Sequence, residues 1–341
     1  MPPQRATLLQ VAQRAGVSRS TASFVLTGRH QDMRISEDAR QRVLRAAQEL
    51  DYRPNLMARS LRTKVTKTIA LVSDTLASDA YAGRAIQGSL AAAVAYGHLL
   101  FIGETEGDSV VEEQLISDFL DRQVDAFVYA SMFTRYVRVP KQLKGRPVVL
   151  LNCLTRAATP AQHAIIPDEL TAGWSAARTV LEAGHRAGIY LVGHPQQHVF
   201  AGRERLAGIR EGLAASGTRL AGTIDCEWWP DSAYEAVSRS LGEGLAPRAF
   251  ICLNDRIALG AYQALREHGR SIPDDVSVLS FDDSEMAAWL RPQLTSIALP
   301  HYQLGWQAVE KLLGPASEPR IHRLPMPVRM RNSIAKPIAE V

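Results

Sequence analysis

Two sets of residues could do chemistry in this chain. The first is Arg19, Ser20 and Phe24, within the stretch 18–27, SRSTASFVLT. Ala22, Val25 and Leu26 recur at helical spacing and form one apolar face, so Ser20 and Phe24 point the other way. A helix that opens Arg-Ser-Thr and enters by its N-terminal end is suited to the major groove of DNA, where side chains meet base edges. The second set lies just past apolar runs: Asp74, Asn152, Asp255, and Asp282 with Asp283. Arg205 joins them at the opening of a helix, and Trp228 from the polar stretch EWWPDS. Acids and amides exchange hydrogen bonds with hydroxyls, an arginine holds a ring or exocyclic oxygen, and an indole face stacks on the apolar face of a sugar. Taken singly, Asp255 and Asp282 read equally well as caps of the next helix. The convergence of such residues favours a pocket.

The first set needs a small helical frame. Thr7 with Gln10 fits a capping box, Leu8, Val11, Ala12 and Ala15 follow at helical spacing, and Gly16 stops the helix. Ser18 caps the second helix and Ser36 a third, whose Ala39, Val43, Ala47 and Leu50 are spaced to cover the other two. Asp51-Tyr52-Arg53-Pro54 ends it, because the residue before a proline avoids the α region. Residues 1–66 hold twelve Lys or Arg against five acids, a net of +7, while the whole chain is +4 and the remainder therefore −3. A basic head on a mildly acidic body is the footprint of a phosphate-binding module and sets aside a bare three-helix packing unit. The loop 28–36 carries Arg29, His30 and Arg34, which reads either as extra phosphate contacts or as a solvated surface loop. Residues 54–63 are too few to hold a helix alone in water, since nucleation is costly.

The second set needs sheets. About 275 residues follow the head, enough for two lobes. Apolar runs suited to buried strands fall at 68–73, 99–102, 125–130, 148–152, 188–192, 250–253 and 276–281. Amphipathic stretches alternate with them at 84–95, 110–122, 170–183, 203–215, 232–241 and 257–268. Strand and helix in alternation predict doubly wound α/β sheets, which bind ligands outside the carboxyl ends of their strands. No run of eighteen apolar residues occurs, and the first residues lack the apolar segment of a signal peptide, so a cytoplasmic protein with no membrane partner is expected. Cys153, Cys226 and Cys252 are odd in number and never C-x-x-C, which suits packed thiols in a reducing compartment. Phosphate-loop, zinc-protease, nucleophile-elbow and dinucleotide motifs are absent, so no catalytic residue and no cofactor is expected. His194 and His198 are the nearest histidine pair but have no evident third ligand, so no metal site is assigned; His185 reads as a loop histidine bonded to backbone.

The stretches AGVSRSTASFVLTG, ISEDARQRVLRAAQELDYRPN and ARSLR resemble the head and hinge of the LacI/GalR family of bacterial transcription regulators. VDAFVYAS, IPDELTAGWSAARTVLEAGHR, RERLAGIREGL, NDRIALGAYQAL, IPDDVSVLSFDD and RPQLTSI extend the resemblance over nearly the whole chain. It implies an all-α helix-turn-helix head (1–52), a hinge helix (53–66) and two doubly wound parallel-sheet lobes of the periplasmic-binding-protein type (67–341). The N-lobe would hold about 67–165 and 298–325, the C-lobe about 166–296 and 326–341, with three crossings near 165–168, 291–297 and 324–327. It further implies a homodimer on pseudo-palindromic double-stranded operator DNA, acting as a repressor. DNA contacts are expected from Thr7, Ser18, Arg19, Ser20, Thr21, Ser23, Phe24, Arg29, Asn55, Ala58 and Leu61. Of these Arg19, Ser20 and Phe24 face bases, Ala58 pairs the two hinges, and Leu61 wedges between minor-groove base steps. Many members carry Arg where this chain has Phe24, which replaces a bidentate guanine contact by apolar contact with a thymine methyl. Asp74, Asn152, Arg205, Trp228, Asp255 and Asp282 match positions lining the effector cleft, and Leu299 and His301 sit where other members place effector contacts. The expected effector is a sugar, with a nucleobase or nucleoside as the alternative. An exported sugar-binding protein shares the two-lobe body but needs a signal peptide in place of the basic head.

Overall fold

The computed structural model describes residues 6–52, 65–77, 83–156, 162–194, 199–315 and 320–335. The chain divides into two compact units, Met1–Thr66 and Lys67–Val341. In the first, α1 (Leu8–Ala15) begins with the capping box: the Thr7 hydroxyl accepts the Gln10 N–H and the Gln10 side chain accepts the Thr7 N–H at 2.8 Å. Gly16 ends the helix in the left-handed region at φ 63°, where a side chain would be strained. Ser18 caps α2 (Arg19–Leu26) and Ser36 caps α3 (Glu37–Glu49). The three helices close on Val11, Ala12, Ala15, Ala22, Val25, Val43, Ala46 and Ala47. Ala46 therefore supplies what the spacing assigned to Ala39, which stays half-buried. Loop 28–36 folds back on itself, with the Ile35 N–H donating to the His30 carbonyl and Arg29 3.9 Å from Asp32. Asn55, Ala58 and Leu61 lie outside the described residues.

The second unit is built on two six-stranded sheets. One runs β11-β5-β4-β3-β1-β2 and is parallel throughout: β1 (Thr68–Ser73), β2 (Leu99–Glu104), β3 (Ala126–Tyr136), β4 (Val148–Leu154), β5 (His163–Pro167) and β11 (Ile321–Leu324). The other runs β12-β10-β9-β8-β6-β7: β6 (Ile189–Val192), β7 (Gly222–Ile224), β8 (Ala249–Cys252), β9 (Ser277–Asp282), β10 (Thr295–Ala298) and β12 (Val328–Arg329), of which β12 alone is antiparallel. Helices α4 (Gly83–Ala95), α5 (Ser109–Asp121) and α11 (His301–Leu313) belong with the first sheet. Those of the second are α6 (Glu169–Glu182), α7 (Phe200–Ala214), α8 (Pro230–Gly242), α9 (Asp255–Glu267) and the short α10 (Glu285–Trp289). Small residues let these helices pack in pairs. A Cβ on Gly305 would lie 1.8 Å from the Ala85 carbonyl oxygen across α11 and α4, and one on Gly173 2.1 Å from the Arg205 oxygen across α6 and α7.

The chain passes between the sheets three times: from β5 into α6, from β10 into α11, and from β11 into β12. The second passage corrects the expected position at 291–297. Thr295–Ala298 still pairs with β9, so the chain leaves the second sheet only at Leu299-Pro300. The three cysteines are free and buried; burial pushes the Cys153 thiol to about 12 and Cys252 well above its ordinary value, which leaves them inert.

Candidate functional site

On the head, the N-terminal half of α2 presents Arg19 and Ser20 to solvent, while Ala22 and Val25 face the core. Ser18 and Thr21 are partly spent on each other: the Ser18 oxygen accepts the Thr21 N–H at 3.0 Å and meets its hydroxyl at 2.8 Å. Thr7 is likewise engaged in its capping box. Phe24 is half-buried, with the Arg29 guanidinium 5.7 Å from its ring centroid. Arg29 therefore lies against α2, a link between loop and helix that spacing alone does not show. Phe24→Arg is expected to change which base is preferred in each half-site, because a guanidinium reads guanine where a ring touches a methyl. Arg42→Ala, on exposed α3 where Arg42 faces Asp38 at 3.5 Å, is expected to alter affinity alike for all sequences. Selection of sites from a random DNA pool checks both; an unaltered preference with Phe24→Arg would remove Phe24 from the reading set.

In the body, the carboxyl ends of the two sheets face a cavity of about 250 Å³. Asn152, Arg205, Trp228 and Asp282 line it, as do Leu299 and His301. Their chemistry differs from one to the next. Asn152, at φ 57°, is committed to its own lobe: its Nδ2 donates to Ser131 O (3.1 Å) and Met132 O (2.7 Å), and its Oδ1 accepts the Thr134 hydroxyl. β3 and β4 slip register between Ala130 and Arg135, and Asn152 holds the resulting irregular stretch so that Met132, Phe133 and Thr134 form the wall. Asp74 works on the same stretch from below rather than lining the cavity. It accepts the Met132 N–H at 2.8 Å and pairs with Arg135 at 2.9 Å.

Arg205 does not open its helix, which starts five residues earlier at Phe200; it lies in the second turn of α7, 2% exposed. Its fork is bidentate on Glu169, Nε to Oε2 at 2.6 Å and Nη2 to Oε1 at 3.1 Å, and Nη1 donates to the Leu253 carbonyl. Burial opposes its charge, but Glu169 and Asp282 more than offset this and raise its pKa. Phe281 lies 4.6 Å from the guanidinium and Trp228 5.8 Å, so the indole is held against a fixed cation. The Trp228 Nε1 donates to the His194 carbonyl at 2.8 Å, leaving the ring face for stacking. Asp282 stands 3.7 Å from Arg205 at φ 105°, a conformation rarely held by a side-chain-bearing residue. Burial pushes its carboxyl up to about 8 in spite of Arg205.

Asp255 is the correction. It is 1% exposed and sits beneath the cavity, accepting hydrogen bonds from Ser280, Ser284 and Ser296, while its neighbours Asn254 and Arg256 line the wall. Nor does it cap α9: Asn254 does, accepting the Ile257 N–H at 2.7 Å. Glu169, Glu227, Trp229 and Phe133 also line the cavity and were not singled out by sequence. For Glu169 the signal existed, since HAIIP followed by Asp-Glu is one more apolar run ending in acids. A wider groove of about 1050 Å³ shares Asp282, Leu299 and His301 and opens along α4, α10 and α11. It lacks Asn152, Arg205 and Trp228, which the smaller cavity gathers, so the smaller cavity is the candidate site. His185 bonds to Ser277 Oγ (2.9 Å) and the Ala335 carbonyl (3.0 Å), and burial lowers its pKa. No cluster of metal-ligating groups occurs among the described residues, and His198 lies outside them.

A helix-turn-helix unit followed by a two-lobed α/β body with a polar, aromatic-walled cleft defines a DNA-binding regulator of the ligand-controlled class. Residues 7–55 match the family model "Bacterial regulatory proteins, lacI family", and 177–334 match "Periplasmic binding protein-like domain". The HTH-type transcriptional regulator AscG of Escherichia coli (strain K12) is 31% identical over 90% of this chain and 91% of its own length. The Ribose operon repressor of Haemophilus influenzae is 29% identical over 90% and 91%. Among solved structures, the lac repressor dimer bound to operator and the anti-inducer ONPF shares the fold at a TM-score of 0.77 and 23% identity, covering 97% of this chain and all of that one. The transcriptional regulator CelR–cellobiose complex is 29% identical with a TM-score of 0.66, covering 96% and 100%. The chain belongs to the LacI family of bacterial regulatory proteins. No helix among the described residues is long and apolar enough to cross a membrane.

Proposed function

We propose that this chain is a cytoplasmic, sequence-specific repressor that binds a pseudo-palindromic operator as a homodimer and is controlled by a sugar in the interlobe cleft. The observation that carries the effector reading is the pairing of aromatic faces, Trp228, Trp229 and Phe133, with the carboxyl groups of Asp282 and Glu227 in a cavity on the scale of one sugar ring. Carboxyl groups accept from vicinal hydroxyls and the rings cover the apolar face of a pyranose or furanose. Relatives named for a ribose operon and for a cellobiose complex support the same class. For the homodimer, the support is an apolar edge on the first lobe. Val94 (65% exposed) and Leu99 (63%) stand on α4 and the edge strand β2, and Val110 (74%) begins the next helix. An effector that prefers one lobe arrangement shifts operator affinity by its differential binding to the two states. No residue is assigned a catalytic role.

The test is a thermal-shift screen of the full chain against monosaccharides, disaccharides, nucleosides and nucleobases, since a ligand of the native state alone raises its melting temperature. A sugar is expected to raise it and to change retention of a selected DNA site in mobility-shift gels. A nucleobase raising it while every sugar fails would replace the sugar reading.

A further inference from the structure

The turn Asp282-Asp283-Ser284 is gripped from all three passages between the lobes. Near the first, Glu169 at the start of α6 holds Arg205, which stands 3.7 Å from Asp282. From the second, Ser296 Oγ on β10 accepts the Asp283 N–H at 2.9 Å, and the Leu299 N–H donates to the Asp282 carbonyl at 3.2 Å. From the third, Arg331 lies 2.6 Å from Asp283 Oδ1 and Arg329 3.7 Å from Oδ2. Two consecutive aspartates in the turn have positive φ, 105° and 52°, which persists only where the surroundings over-determine it.

Beneath the turn lies Asp255. Its Oδ2 accepts both the N–H and the hydroxyl of Ser284 at 2.7 Å, and its Oδ1 accepts the hydroxyls of Ser280 and Ser296, the latter at 2.7 Å. One buried carboxylate thus takes four donors from β9, from the turn and from β10. Since Asn254 already caps α9, these bonds are not needed to start that helix.

We propose that Asp255 is a positioning residue of the effector response. It holds Asp282 and Asp283 at positive φ by gripping Ser284 and locks the turn to β10, so that a change at the Asp282 carboxyl in the cleft reaches the passage at Leu299-Pro300. This rests on reading Asp282 as an effector ligand, but its test needs no effector. Hydrogen–deuterium exchange with mass spectrometry is measured on the full chain and on Asp255→Ala, Asp255→Asn and Ser296→Ala. Asp255→Ala is expected to speed exchange in peptides covering 282–286 at least tenfold, with α9 and the first lobe within about twofold of the parent. Asp255→Asn keeps one oxygen for Ser284 and turns its amide to the Ser280 and Ser296 hydroxyls, which rotate to accept; it is expected to restore most of the protection at 284. Ser296→Ala, which keeps the buried carboxylate, is expected to speed exchange at 283 alone and decides the matter if Asp255→Ala does not fold. Uniform acceleration over the whole body, or none at the turn, overturns the proposal.

Transmission is read separately by a double-mutant cycle. Asp282→Asn is expected to alter exchange at 299–302 in the parent and in the Asp255→Asn background, and to leave it unaltered in the Asp255→Ala background or, if that variant does not fold, in the Ser296→Ala background. Equal effects in the parent and in the Asp255→Ala or Ser296→Ala background overturn the coupling. Failure of every sugar to bind, with this exchange pattern intact, would instead overturn the sugar reading and leave the coupling standing.

Discussion

A chain shortened to begin at Lys67 is expected to keep its fold and its ligand and to lose specific DNA binding altogether. Lys67–Val341 is a compact unit with its own cores on both sheets, and among the described residues those cores are built from this unit alone. The body carries a net charge of −3 against +7 for residues 1–66, so it retains no electrostatic attraction for phosphate once the head is gone. Specific sites are typically bound about 4–10 kcal/mol more tightly than nonspecific DNA, and the whole of this margin is expected to vanish. Sites are first selected from a random pool with the full chain, and the fragment is then tested on them in mobility-shift gels while circular dichroism monitors its fold. The full chain is expected to show a steep loss of affinity with salt, with a slope of about −0.9 per phosphate neutralised. Retained site-specific binding by a folded fragment would show that the body, not the head, reads DNA.

The second large effect is expected inside the body. Glu169→Ala leaves Arg205 with its charge buried and its bidentate partner gone, both side chains being 2% exposed in the parent. Removing one member of such a pair costs about 3–5 kcal/mol, because the remaining ion has neither water nor counter-charge. The contrast is Glu49→Ala on the head, where Arg14 and Glu49 meet at 2.9 Å but are 64% and 49% exposed. Solvent screens that pair, and its loss is expected to cost at most about 1 kcal/mol. Replacing both buried partners by apolar residues, Glu169→Leu with Arg205→Met, is expected to recover most of the stability while abolishing the ligand response, since the cleft loses the cation that backs Trp228. Urea denaturation of the parent and the three variants measures the stabilities; equal costs for Glu169→Ala and Glu49→Ala would mean that the buried pair is solvated in solution.

The head was legible almost residue by residue because its signals are local. Thr7, Gly16, Ser18 and Ser36 mark helix ends through bonds to their own neighbours, and the apolar spacing names the core apart from the exchange of Ala39 for Ala46. Most central strands were legible for a similar reason, being buried on both faces and therefore continuous apolar runs, although the short interior strands β5 and β10 were not among the runs read as strands. Three of the four edge strands were not: β7 has three residues, β12 two, and β11 has exposed and part-buried positions, so none of these rises above the loops around it. Position past a strand end located Asn152 and Asp282 at the cleft, but it could not distinguish them from Asp255. Which way a strand-end side chain turns depends on what lies across the fold, and three serines from β9, β10 and the turn draw Asp255 inward. The same holds for Arg205, whose charge is spent on a glutamate thirty-six residues away. Local sequence determined where helices begin and which faces are apolar, because those choices are settled within a turn or two of backbone. The partners of buried charges were decided only when the sheets brought distant segments together, since a desolvated ion takes whatever counter-group the tertiary packing sets beside it.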